Sequence, residues 1–237
     1  MNQIIAMHGW CGDSTFWENW EDHFKLNGWQ WRNSERGYGH LTPSEPFWMV
    51  NAQENHLTKK VIFCHSLGIH LISSKVLKEA SHIVLLNSFS RFIPKGRESR
   101  SIKTALNGMQ KHLNKATERA MLLKFIQKAN QPYKENYWLP ELLKNSLSPK
   151  GRKMLSQDLE LLINTKGLPP AFPKTGRVLV INGGNDHILS SVARSELLDD
   201  LSNHLNQSPL NWIIKDEGHN ILCIDLVDRI NNWLKAN

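Results

Sequence analysis

The chain lacks any apolar run long enough to cross a bilayer. Its longest runs, such as Ile83-Val84-Leu85-Leu86 and Val178-Leu179-Val180-Ile181, fall far short of the roughly 20 residues that a spanning helix needs. At the start, Met1-Asn2-Gln3-Ile4-Ile5 has no basic region followed by a long apolar core, so no secretory signal is expected. Cysteine is scarce. Cys11, Cys64 and Cys223 are odd in number and widely spaced, which argues against a disulfide framework and shows no metal-ligand spacing. They read as buried thiols in a reducing compartment, and the expected location is cytoplasmic. There is no internal repeat and no low-complexity tract. Few aromatics interleave with the basic residues in the middle of the chain, which weighs against a nucleic-acid partner.

What is present suits one large domain, or one domain with an insertion. The chain has 237 residues, 40% of them hydrophobic, enough for a sizeable core. The formal net charge of +7 is unevenly spread. Residues 91–177 hold 18 Lys and Arg against 6 Asp and Glu, whereas the remainder holds 11 against 16. A basic block of this kind favours an acidic partner through electrostatic steering, or it is simply the solvated surface of helices.

Gln3–Met7 reads as a short buried strand running into His8-Gly9-Trp10. Gln30-Trp31-Arg32 is a weaker strand candidate, leading into Arg36-Gly37-Tyr38-Gly39, and a helix is expected within Pro43–Leu57. Lys60-Val61-Ile62-Phe63-Cys64 has the continuous apolar character of a strand buried on both faces. Apolar residues at Leu67, Leu71, Ile72, Val76 and Leu77 predict a helix from Leu67 to Glu79. Strand Ile83–Leu86 follows. Strand, helix and strand in short alternation indicate a parallel α/β sheet. The basic middle is different: Ser101–Lys128 and Lys153–Thr165 have helical spacing, punctuated by Pro132, Pro140 and Pro149. Strand character resumes at Arg177–Asn182, then helix Ser190–Leu205, strand Asn211–Ile214 and an amphipathic helix Ile221–Leu234. The expected organisation is a core of residues 1–90 and 175–237 with a helical cap insertion at 91–174.

Ser66 lies in Cys64-His65-Ser66-Leu67-Gly68, at the turn from buried strand to helix. That is the context of a nucleophile elbow, where a sharp turn lifts a serine hydroxyl above the sheet and small residues two before and two after it allow close packing. Gly68 meets the second requirement, and Cys64 stands where the motif has glycine. The helix beginning at Leu67 would favour developing negative charge. The plain alternative is that Ser66 only caps that helix.

A serine needs a base and a group to orient it. In this fold they follow in the order serine, acid, histidine. Asp186, in Asn182-Gly183-Gly184-Asn185-Asp186, lies just past a late strand, though a turn aspartate can also serve its own backbone. His219, in Glu217-Gly218-His219-Asn220, lies between the last strand and the last helix. His187 is a rival base, but shares a loop with Asp186. The amides of Leu67 and Trp10 are the expected oxyanion donors. The side chains of Trp10 and Phe89 are the expected substrate contacts. This chemistry requires no metal and no organic cofactor.

His8-Gly9-Trp10, Arg36-Gly37-Tyr38-Gly39, His65-Ser66-Leu67-Gly68, Asp186 and His219, in this order, resemble the α/β-hydrolase superfamily over most of the chain. Met7-His8-Gly9-Trp10, the short length and the helical insertion look most like the pimeloyl-acyl-carrier-protein methyl ester esterases of biotin synthesis, with weaker likeness in Leu159–Thr165. The resemblance implies an α/β-hydrolase fold, with a mostly parallel central sheet flanked by helices and a helical cap. It implies a serine carboxylesterase acting on a methyl ester carried by an acidic acyl carrier protein, which the basic insertion would dock. From charge alone, Arg91, Arg97, Arg100 and Lys103 are the carrier-binding candidates. A general small-ester or lipid hydrolase, and a non-catalytic binding protein of the same fold, stand as alternatives.

Overall fold

The structure, a computed structural model, describes residues 1–50, 58–134, 137–221, 223 and 225–237. Six strands form one sheet: β1 (Gln3–Met7), β2 (Gln30–Ser34), β3 (Lys60–His65), β4 (His82–Leu86), β5 (Arg177–Gly183) and β6 (Leu210–Ile214). Their order is β2-β1-β3-β4-β5-β6, and every neighbouring pair is parallel. The four inner strands, β1, β3, β4 and β5, read as largely apolar runs because both faces are covered, whereas the edge strands β2 and β6 are more polar and less buried. Alternate residues serve opposite faces. Ile4, Val61, Phe63, Val84 and Ile181 pack with Trp17, Trp20 and Phe24 on one side. Ile5, Ile62, Cys64, Leu85 and Val180 pack with Ile69, Val76 and Leu197 on the other.

Helices α1 (Glu18–Leu26) and α9 (Asp225–Ala236) cover the first face. Helices α2 (Gly68–Leu71), α3 (Ser74–Lys78) and α8 (Ser191–His204) cover the second. Between β4 and β5 the chain forms α4 (Ser99–His112), α5 (Glu118–Asn130), α6 (Glu141–Lys144) and α7 (Pro149–Asn164). Their apolar side chains, including Leu106, Leu122, Ile126 and Leu159, form a third cluster with Trp10, Leu67 and Phe89. Those three residues follow β1, β3 and β4, so the helical segment sits over the carboxyl ends of the strands. After β1 the chain turns outward to β2 and then returns to place β3 on the other side of β1. Such a reversal leaves a crevice beyond the carboxyl ends of the two strands, where open α/β sheets bind ligands.

Four expectations change. The single helix foreseen over Leu67–Glu79 is two, because Ile72 is extended and the Ser73 hydroxyl caps α3 at the Val76 amide, a role serine fills better than a place inside a helix. In Pro43–Leu57, residues 43–50 are not helical and the rest lie outside the described residues. The last helix begins at Asp225, with two acidic residues in its first turn, a charge arrangement that suits that end. Pro149, read as punctuation ahead of a helix at Lys153, instead opens α7 itself behind the Ser148 cap. Among the described residues no helix is long and apolar enough to cross a membrane, and no cluster of His, Cys, Asp and Glu could hold a metal.

Candidate active site

Ser66 sits between β3 and α2 with φ of 52°, a left-handed conformation that costs an L-residue of order 1–3 kcal/mol and persists only when its surroundings enforce it. They do: the Ser66 amide donates to Leu86 O at 2.9 Å. A β-carbon at Gly68 would stand 2.6 Å from Met7 O, so only glycine lets α2 press this closely on β1. Cys64 takes the place of the first small residue of the elbow and is fully buried in the cluster of Ile62, Leu85 and Met7. Burial pushes its thiol well above the ordinary range. Ser66 does not cap the helix, since α2 has no side-chain cap. With only four residues α2 also has little dipole to offer, so the local donor that remains is the Leu67 amide.

His219 Nε2 lies 3.1 Å from Ser66 Oγ, and His219 Nδ1 lies 2.8 Å from Asp186 Oδ2. The structure therefore brings together three side chains that are far apart in sequence. The carboxylate fixes the hydrogen on Nδ1 and leaves Nε2 to accept from the serine hydroxyl. Asp186 Oδ1 accepts from the amides of Ile188 and Leu189 at 2.7 and 2.9 Å. One oxygen of Asp186 thus satisfies the turn while the other faces the imidazole. Burial works to raise this carboxyl, but His219 and the two amides bring it below its ordinary value. The rival His187 is solvent-exposed.

His65 was not singled out in the sequence, yet its Nε2 donates to the His219 carbonyl at 2.9 Å while its ring stacks on Phe16. Burial, reinforced by nearby His219, lowers its pKa to about 3, so the ring is neutral and can hold that donor hydrogen. The loop after β1 closes the site from the other side. A β-carbon at Gly9 would meet Ser66 Cβ at 2.9 Å. His8 Nδ1 donates to Gly9 O at 2.8 Å, and its Nε2 accepts the Arg36 amide at 3.2 Å, joining the loops after β1 and β2. Among the described residues, neither the Trp10 nor the Leu67 amide has an acceptor. Both are therefore unspent donors, one on the residue after Ser66 and one on the residue after Gly9, which packs against Ser66.

The loop Arg36–Gly39 serves attachment. Arg36 makes a two-pronged bond to Asp158 of α7 at 2.8 and 2.7 Å, and Tyr38 Oη donates to the same carboxylate at 2.6 Å. The helical segment is thereby clamped to the core. Beneath it lies a cavity of about 1180 Å³ with Ser66, Trp10, Phe92, Met109, Met121 and Leu159 among its walls. The Trp10 indole donates to Leu155 O at 2.8 Å, which fixes its ring as a wall. Phe89 does not line this space: it is fully buried, edge-on to Phe92, which takes the wall position. Arg91 is engaged in ion pairs with Glu196 and Asp200 and donates to Lys166 O, so its charge is committed within the fold. Arg97, Arg100 and Lys103 are exposed but do not line the cavity. The basic residues that do are Lys124, Lys128, Lys134 and His112, with no Asp or Glu among the described residues of its walls.

This sheet, with these helices on its faces and at its carboxyl edge, is the α/β-hydrolase fold. In solved structures it is similar to an esterase from Exiguobacterium antarcticum, at 13% identity and a TM-score of 0.71, over 99% of this chain and 92% of that one. A thermophilic esterase from Thermogutta terrifontis is similar at 16% identity and a TM-score of 0.64, over 100% and 90% of the two chains. A bromoperoxidase from Bacillus anthracis is similar at 14% identity and a TM-score of 0.65, over 99% and 92%. No protein-family profile matches the chain, and no curated protein matches it in sequence. At these identities the likeness establishes the fold, and the reaction has to be argued from the site.

Proposed function

We propose that this chain is a serine carboxylesterase in which Ser66, His219 and Asp186 act together. The observation that carries this reading is the relay at His219, with 3.1 Å on the serine side and 2.8 Å on the aspartate side. Ser66 Oγ attacks the ester carbonyl carbon as its proton passes to His219 Nε2. The imidazolium, held by Asp186, then gives that proton to the departing alcohol, leaving an acyl-serine. Water, deprotonated by the same nitrogen, releases the acid and restores the serine. The Leu67 and Trp10 amides bind the oxyanion at both tetrahedral stages. Esterases among the solved neighbours agree with this chemistry.

Within that reaction, the substrate is the methyl ester of pimeloyl-acyl-carrier protein, made during biotin synthesis. Support comes from the motif resemblance, the basic segment 91–174 read as a cap, and an apolar cavity whose charged wall residues are cationic. An acidic carrier would dock on the cap and pass its acyl arm down to Ser66.

A fluorophosphonate probe tests the chemistry. Wild type should be labelled and Ser66→Ala should not, and labelling that persists in the variant sinks the triad. For the substrate, the gene should restore growth of a biotin-requiring strain lacking its own esterase, whereas the Ser66→Ala form should not. Cleavage of the carrier-linked ester no faster than a short aryl ester would argue for a general ester hydrolase.

A further inference from the structure

Asn87, the residue after β4, lies between the loops that carry Asp186 and His219. It is fully buried. Its Nδ2 donates to Gly218 O at 2.7 Å and to His219 O at 2.8 Å, and its Oδ1 accepts the amide of Gly183, the last residue of β5, at 2.8 Å. Both hydrogens of the side-chain amide are therefore used. Its backbone is left-handed, with φ of 43°, a conformation that asparagine tolerates better than most residues. Pairing of β4 with β5 does not need this side chain, because the ladder already runs from His82↔Arg177 to Leu86↔Ile181. What Asn87 adds is a fixed spacing between the sheet edge and the loop bearing His219. The His219 ring is held by Asp186 and its carbonyl by His65. Asn87 is a second hold on that carbonyl and the hold on the residue before it.

We propose that Asn87 is a positioning residue for His219, setting how closely the imidazole approaches Ser66 Oγ. This rests on the serine-hydrolase reading above. Asn87→Asp keeps the volume, the left-handed backbone tolerance and the acceptor for Gly183. It turns a carboxylate oxygen toward two carbonyl oxygens that had been receiving hydrogens, so the His219 loop is pushed away.

The test uses the full chain, with Asn87→Asp and with Asn87→Gly, which also accepts a positive φ. Five quantities are measured: the fluorophosphonate labelling rate, kcat and KM on a short aryl ester, the downfield proton resonance of His219 Nδ1–H, and thermal melting. The expected result is a fall of about 100-fold in labelling rate and kcat, as for a displacement near 1 Å. KM should move less than about twofold, the resonance should shift or broaden, and melting should stay cooperative. A labelled wild type with unchanged labelling in Asn87→Asp overturns the proposal. A wild type that is never labelled overturns the hydrolase reading instead, and the resonance alone then decides: unchanged in Asn87→Asp, it overturns the positioning role too. Loss of cooperative melting in both variants would make Asn87 a residue of the fold, and would likewise overturn the proposal.

Discussion

Gly9 and Ser66 are in contact across the mouths of β1 and β3, so closely that a β-carbon at position 9 would stand 2.9 Å from Ser66 Cβ and 3.1 Å from His65 Nδ1. Neither neighbour is free to move. Ser66 is fixed in a left-handed turn, and His65 stacks on Phe16. The loop itself must yield, and with it the Trp10 amide. Gly9→Ala is therefore expected to lower kcat about 10- to 100-fold through one displaced oxyanion donor, with the melting temperature little changed. Kinetics on an aryl ester, beside a thermal melt, check it. An unchanged kcat would remove Trp10 from the oxyanion site.

The clamp between Arg36 and Asp158 makes a prediction about stability. Asp158 is buried, and receives two bonds from Arg36 and one from Tyr38. Removing the carboxylate strands a largely buried guanidinium, which costs about 3–5 kcal/mol. For a chain of this size that corresponds to a drop of roughly 10 °C in Tm. Asp158→Ala should show that drop in a thermal melt. A shift of a degree or two would mean that this clamp adds little and that the helical segment is held by its other contacts.

Much of this was legible because it is local. Strands buried on both faces leave continuous runs such as Val61–Cys64. Ser66 is marked by the strand before it and Gly68 after it, and Asp186 and His219 by their places after β5 and β6. The rest depended on partners with no local signature. Asn87 bonds residues 131 and 132 positions away, and His65 one 154 away. Arg91 looked free until Glu196 was placed beside it, 105 residues on. Phe89 and Phe92 are three residues apart, and only packing decides which one faces the cavity. The break at Ile72 goes with the Ser73 cap of α3, which apolar spacing alone does not show.

Stability should fall in acid, and His65 should account for part of the slope. Burial, with His219 nearby, lowers His65 from an ordinary 6.5 to about 3. Burial, with the charges of Lys59 and Arg177, lowers His82 to about 4. Between 6.5 and those values the unfolded chain binds protons that the folded chain refuses. Stability therefore declines as pH falls, by up to about 1.4 kcal/mol per pH unit for each group. Above 6.5 neither contributes. Asp186, whose folded pKa is also depressed, adds to the loss below its ordinary 3.8. Urea denaturation at pH 7, 6, 5 and 4.5 should show a falling stability, and His65→Gln should show a shallower fall. Parallel curves would mean that His65 is protonated in the folded chain.

Lys124 and Lys128 stand four residues apart on α5, so they lie on the same face of the helix. Both are exposed at the cavity, and neither has an acidic partner among the described residues. A substrate delivered by an acidic carrier would meet them early. The double change Lys124→Glu and Lys128→Glu turns attraction into repulsion at two points. The ratio of kcat/KM for the carrier-linked ester to that for a short aryl ester should fall about tenfold, the equivalent of about 1.4 kcal/mol. The dependence of the carrier reaction on salt should flatten or reverse, since screening weakens both attraction and repulsion between exposed charges. The ratio should return toward the wild-type value at high salt, where these charges count for little. If it stays unchanged at low salt, the carrier does not approach over α5, and Lys124 and Lys128 have no part in choosing the substrate.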